Sequence, residues 1–223
     1  MHLLDALLDL VAPHDCLGCG CEGRLLCSPC SRTINTRTQL PCLFCKKASC
    51  TVICSQCTAT QKLTAMHARA DYADLAKKLV HAVKFERKHA GLEYIAELMV
   101  QALPEGVYYD IITYIPTVHS RRRERGYDQA EQIALHMAKR LGSTKKSLIV
   151  RRGDLRQVGS SRKARLEQLK DVFMVYERPA RQDLSILLVD DVVTTGGSIL
   201  FACQALHQAG YRNISVAVFA QTV

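Results

Sequence analysis

Residues 184–198 constrain the fold of this chain more than any other stretch. They read Leu184-Ser185-Ile186-Leu187-Leu188-Val189-Asp190-Asp191-Val192-Val193-Thr194-Thr195-Gly196-Gly197-Ser198. An apolar run long enough for a buried strand ends in two adjacent aspartates. Small and hydroxylated residues follow, and residues 199–209 then carry the apolar spacing of a helix. Gly196 and Gly197 tolerate positive φ, which lets successive backbone N–H groups face one point. With a helix dipole behind them these groups form a phosphate cradle, to which Thr194, Thr195 and Ser198 add hydroxyl donors. Asp190 and Asp191 fall at the C-terminal end of the strand, where α/β sheets place their ligands. Their carboxylates can accept hydrogen bonds from a diol or hold Mg²⁺ through water. Phosphate donors beside diol acceptors suit a ribose 5-phosphate.

The remainder of residues 65–223 alternates in the same way. Residues 67–72, 110–115, 147–150, 172–175, 184–189 and 214–219 read as strands. Helices are expected at 75–85, at 91–103 with Pro104 closing it, at 130–141 with Gly142 as C-cap, and at 199–209. Strands alternating with helices imply an α/β domain with a mostly parallel, open, helix-flanked sheet. Residues 152–170 are polar and basic without an apolar face, the pattern of a mobile loop. Residues 58–64 are polar and unpatterned. They mark a boundary between this domain, 65–223, and a cysteine-rich module, 1–64.

Ten of the eleven cysteines lie between Cys16 and Cys57. Eight form four Cys-x-x-Cys pairs, Cys16/Cys19, Cys27/Cys30, Cys42/Cys45 and Cys54/Cys57, each able to bite a tetrahedral zinc from a tight knuckle. The ligand sets 16/19/27/30 and 42/45/54/57 make two compact ribbons, with a single zinc as the alternative. A disulfide framework would need an oxidising compartment, to which nothing in the sequence points. Cys21 and Cys50 are left over, as spare thiols or alternate ligands, and Cys203 reads as a small core residue. A module this short buries little core, so the metal supplies its folding energy.

The net charge of +9 is concentrated. Residues 119–165 carry fourteen Lys or Arg against Glu124, Asp128, Glu131 and Asp154, which accounts for the whole excess. Such a segment serves a polyanionic substrate, a nucleic-acid surface, or both. No apolar run approaches the length of a membrane span. Residues 1–11 lack a basic start and are interrupted by Asp5 and Asp9, so they read as a short amphipathic helix rather than a signal peptide. The expectation is a cytoplasmic protein without membrane insertion.

The run from Leu187 to Ser198 resembles the PRPP-binding motif of type I phosphoribosyltransferases. Two further stretches narrow the resemblance to the ComF/GntX branch. Tyr114-Ile115-Pro116 is followed by Arg121-Arg122-Arg123-Glu124-Arg125-Gly126-Tyr127-Asp128-Gln129-Ala130, and Tyr72 and Lys84-Phe85 match that branch as well. The chain departs from the branch pattern where Thr117-Val118 replaces a second Pro, where Glu124 interrupts the Arg pair, and where Tyr127-Asp128 replaces Phe-Asn. An N-terminal zinc ribbon is typical of the same branch. The resemblance implies a type I phosphoribosyltransferase fold binding Mg²⁺ and PRPP. It places the 5-phosphate on Val192, Val193, Thr194, Thr195, Gly196, Gly197 and Ser198, and the ribose hydroxyls on Asp190 and Asp191. The loop after Ile115, with Arg121, Arg122, Arg123 and Arg125, is the candidate pyrophosphate site, over which Arg162, Lys163 and Arg165 could close. Thr194 stands where enzymes salvaging 6-oxopurines carry an acid, so hypoxanthine or guanine salvage is not expected. ComF-like proteins are associated with natural competence, which adds single-stranded DNA and a helicase or ATPase as expected partners. A PRPP sensor without turnover is the third reading.

Overall fold

The computed structural model describes residues 15–34, 40–49, 51–86, 88–152, 172–181 and 183–222. The expected helix over 1–11, Cys50, and the segment with Arg162, Lys163 and Arg165 lie outside the described residues. In chain order the elements are α1 (Ser28–Ser31), β1 (Leu40–Pro41), β2 (Ala48–Ser49), α2 (Ser55–Gln61), β3 (Ala65–Asp71), α3 (Asp74–Phe85) and α4 (Ala90–Gln101). There follow β4 (Ile111–Tyr114), α5 (His119–Arg125), α6 (Gln129–Leu141), β5 (Thr144–Lys145), β6 (Val150–Arg151), β7 (Phe173–Met174), β8 (Ser185–Val193), α7 (Gly197–Ala209) and β9 (Asn213–Gln221).

A strand with several consecutive apolar residues must be covered on both faces along that stretch. β8 is such a strand, because Ile186, Leu187, Leu188 and Val189 are all fully buried. It lies third in a five-stranded sheet of order β3-β9-β8-β4-β5, in which every pairing is parallel. Alternate side chains feed two cores. Leu187 and Val189 join Ile112, Tyr114 and Phe219 beneath α3, α4 and α6. Ile186 and Leu188 join Met66, Ile214 and Val216 beneath α7. One long helix leaves much of that second face open. The antiparallel β6–β7 pair and the second half of the cysteine-rich segment complete its cover, through Val172, Phe173, Leu43, Val52 and Ile53. The first half sits on the opposite face, where Cys16, Leu25, Leu26 and Ile34 share the core of α3 and α4. The two cysteine knuckle pairs therefore lie on opposite faces of one sheet.

The parallel sheet with helices on both faces agrees with the expected architecture, and three local readings need correction. Residues 147–150 do not form a sheet strand. Leu148 and Ile149 are buried, but Leu148 N–H donates to the Thr113 side-chain hydroxyl at 3.2 Å instead of to a ladder. Residues 172–175 contribute only Phe173–Met174, paired antiparallel with Val150–Arg151 outside the main sheet. The arginine run after Ile115 is helical, as α5, rather than a loop. Arg and Glu are good helix formers, and Gly126 ends the helix at φ 81°.

Candidate functional site

A cleft of about 320 Å³ opens at the C-terminal ends of β4 and β8. β8 continues in register with β9 through the aspartates as far as Val193, so the pleat decides where each side chain goes. Asp190, Asp191 and Val192 line the cleft, whereas Val193 is buried in the core beneath α7. The Asp191 N–H donates to Asp190 Oδ1 at 2.9 Å. Lys84, at the end of α3, brings its ammonium to 2.6 Å from Asp191 Oδ2. Loss of hydration at the cleft floor, reinforced by the Asp191 charge, pushes the Asp190 carboxyl up to about 8. Two adjacent acids, one of them paired with Lys84, thus sit together on the cleft floor.

The turn after β8 takes the expected form. Gly196 has φ 77° and is the N-cap of α7, its carbonyl accepting the Leu200 N–H at 2.9 Å. Gly197, by contrast, is already helical. Thr194 and Ser198 reach the cleft, while Thr195, Gly196 and Gly197 are not among its lining residues. Behind Gly196 stands the second cysteine knuckle. A Cβ added there would lie 2.9 Å from both Leu43 Cδ2 and Phe44 Cε1.

The opposite wall is Ile115-Pro116-Thr117-Val118 with Arg121 and Arg125 of α5. Arg122 turns instead to Glu131, at 3.9 Å, and neither Arg122 nor Arg123 lines the cleft. Of the four expected arginines two therefore converge, one helical turn apart. Their placement depends on Asp128, which the sequence reading passed over as a family variant. Asp128 is 2% exposed. It accepts the Thr117 N–H at 2.7 Å and the Thr117 hydroxyl at 3.1 Å, and it caps α6 through the Glu131 N–H. One carboxylate thus ties the loop after β4 to a helix N-terminus. The Asp-x-x-Glu spacing of a capping box was the available signal. Gln129, also buried, accepts from Arg125 at 2.6 Å. Its Nε2 faces no acceptor among the described residues, although the side chain lines the cleft. Phe85 is 64% exposed beside the cleft, with the Arg125 guanidinium 5.4 Å from its ring centre.

Two groups of four thiols have the dimensions of metal centres. Cys42, Cys45, Cys54 and Cys57 are mutually close, as are Cys16, Cys19, Cys21 and Cys27. Sulfur–sulfur separations of 3.6 Å for Cys45–Cys54 and Cys16–Cys27, and 3.7 Å for Cys19–Cys27, match the edges of about 3.8 Å expected for four sulfurs at zinc–thiolate distance. Backbone N–H groups point at sulfur in both, Cys27 to Cys16 and Cys54 to Cys42, each at 3.4 Å. Burial alone would raise the Cys42 thiol, yet N–H groups of Cys45, Cys54 and Phe44 bring it down to about 6. Both groups therefore fit structural zinc. The second contains the four expected ligands. In the first, Cys21 stands in the mutually close set where Cys30 was expected, while the Cys30 thiol meets Cys27, Cys19 and Cys16 from α1. Five thiols thus lie around that centre, one more than a tetrahedral zinc takes.

Residues 127–222 match the phosphoribosyl transferase domain family. With the parallel sheet, the acidic strand end and the glycine turn at the helix start, they define the class as a type I phosphoribosyltransferase-fold protein. Beyond that domain the chain is similar to proteins named for DNA utilization and competence. It is 28% identical to DNA utilization protein YhgH of Salmonella typhimurium, over 89% of this chain and 91% of that protein. It is 29% identical to Competence protein F of Haemophilus influenzae, over 65% and 67% of the two chains. The adenine phosphoribosyltransferase of Thermoanaerobacter pseudethanolicus aligns with a TM-score of 0.39 at 18% identity, over 59% of this chain and 69% of that one. Among the described residues no helix is long and apolar enough to cross a membrane.

Proposed function

We propose that the cleft binds PRPP with Mg²⁺ and that the chain is a PRPP-dependent transferase-like protein supporting DNA uptake in the cytoplasm. One observation carries the reading: two carboxylates, a phosphate-type turn and three arginines, Arg121, Arg125 and Arg151, converge on the same 320 Å³ space. In this assignment Thr194, Ser198 and the turn's backbone N–H groups hold the 5-phosphate, with Val192 and Val193 carrying the strand into the turn. Asp190 and Asp191 accept the ribose hydroxyls and hold Mg²⁺ through water, drawing Asp191 away from Lys84. As an acceptor bonds to C1, the C1–O bond breaks and pyrophosphate leaves with the electron pair. Arg121 and Arg125 face that growing charge. The unmatched Gln129 amide offers a further donor to an anionic ligand.

Calorimetric titration of PRPP with Mg²⁺ into the full chain, beside an Asp190→Asn/Asp191→Asn variant, tests this. Binding to the intact protein that vanishes in the variant is the expected result. Absence of binding by the intact protein would sink the reading.

A second reading, a single-stranded DNA or helicase accessory without turnover, draws on Phe85. An exposed ring under a guanidinium beside a basic helix suits base stacking, worth about 1–3 kcal/mol per base. DNA affinity that falls steeply with salt and drops in Phe85→Ala would favour it. PRPP binding without pyrophosphate release in an acceptor screen would favour a sensor.

A further inference from the structure

We infer that Leu43 and Phe44, the two residues between the thiols of the Cys42-x-x-Cys45 knuckle, position the phosphate turn and couple the second metal centre to anion binding at 194–198. The inference rests on the reading of that turn as a phosphate site. Gly196 sets the direction of its N–H groups through a left-handed φ of 77°, the conformation that a glycine holds least firmly on its own. What stands behind it is not the sheet but the knuckle, since Leu43 and Phe44 side chains occupy the place a Cβ would take. Leu43 is buried and cannot slide away. Its N–H donates to the Val52 carbonyl at 2.9 Å, and it shares one core with Val193 and Ile199, which flank the turn on either side.

The knuckle in turn takes its shape from the thiols. Cys42 and Cys45 bite one ion from a four-residue turn, and the Cys54 N–H on Cys42 Sγ fixes its tilt. Releasing the ion frees the turn that carries Leu43 and Phe44, and with it the wall behind Gly196. Linkage makes the effect mutual, since whatever factor the metal adds to anion affinity, the anion adds to metal affinity. Among the described residues the first centre has no such contact. Its Gly18 packs on Cys30 and Leu75 at the start of α3, on the other face of the sheet.

The test uses the zinc-loaded full chain and Phe44→Ala, with Phe44→Leu as the conservative rescue. Both should keep two zinc ions. Phe44→Ala should bind Mg²⁺–PRPP about tenfold more weakly and exchange the amides of 194–200 faster, and Phe44→Leu should restore both. Saturating PRPP should slow chelator-driven loss of one of the two ions in the wild type and of neither in Phe44→Ala. Wild-type amide exchange over 194–200 in zinc-loaded Phe44→Ala would overturn the coupling. If the intact chain binds no PRPP, the phosphate reading falls, while the exchange comparison still decides whether the knuckle holds the turn.

Discussion

The two cysteine centres both gather thiols from Cys-x-x-Cys knuckles, yet they stand in different mechanical positions. The first packs into the core of α3 and α4 through Leu25, Leu26 and Ile34. The second packs beside α7 and the β6–β7 pair, and its knuckle stands against Gly196. A structural metal is therefore not a uniform category. Whether it merely supplies folding energy or also holds a ligand-binding turn depends on which face of the sheet it closes.

Disabling each centre separately should give the largest contrast. Structural zinc binds with about 10–16 kcal/mol in small domains, so Cys42→Ser should lose one zinc and unfold its knuckle. PRPP affinity should then fall by at least about tenfold. Cys16→Ser should lower Tm with PRPP affinity changed less than about twofold, because its core does not touch the turn. Equal losses of affinity in both variants, read by calorimetry and metal analysis, would abolish the distinction.

A smaller contrast lies in the glycines. Gly196→Ala forces a Cβ into the left-handed region, at about 1–2 kcal/mol, and into Leu43 and Phe44. It should lower both Tm and PRPP affinity. Gly18→Ala meets Cys30 Sγ at 2.6 Å and should lower only Tm and first-centre zinc retention. Smaller still is the effect of a spare ligand. Cys30→Ser should keep two zinc ions, since Cys21 completes the first set, whereas Cys57→Ser should keep one. A metal count of one for Cys30→Ser would show that Cys21 does not serve.

The mildest expected effect is on pH. The raised Asp190 carboxyl is protonated in the folded protein up to about 8, whereas an unfolded carboxyl ionises near 4. Its contribution to stability is thus fully present below the unfolded value and is lost as pH rises through about 8. Cation binding needs the ionised form, so Mg²⁺–PRPP affinity should rise from pH 6 to 9. Asp190→Asn should remove that trend and raise the ligand-free Tm at pH 8 by about 2–4 °C. A flat affinity profile in the wild type would rule out this assignment of the proton.

Legibility followed the range of the interaction. The run from Ile186 to Val189 announced a doubly covered strand because all four positions are apolar, and Gly196 announced the turn because a left-handed residue fits there. The α6 boundaries were readable from Gly142 and the apolar spacing. The Lys84–Asp191 pair and the Leu43–Gly196 contact were not, since they join positions more than a hundred residues apart that no local pattern relates. The arginine run read as a loop because its charges hide any apolar face, and the helix followed from propensity and the Gly126 cap. Leu148 and Ile149 looked like a strand because burial and strand pairing leave the same apolar signature over three or four residues.

β3 is paired to the sheet only through β9, Ala65 lying beside Ser215 about 150 positions later. On a ribosome adding 5–20 residues per second, β3 therefore waits on the order of 10–30 s for its neighbour. During that interval its open edge is a template for any other extended segment. The cell must shield this stretch until translation has passed residue 221, and slow translation of the basic middle segment would lengthen the exposure.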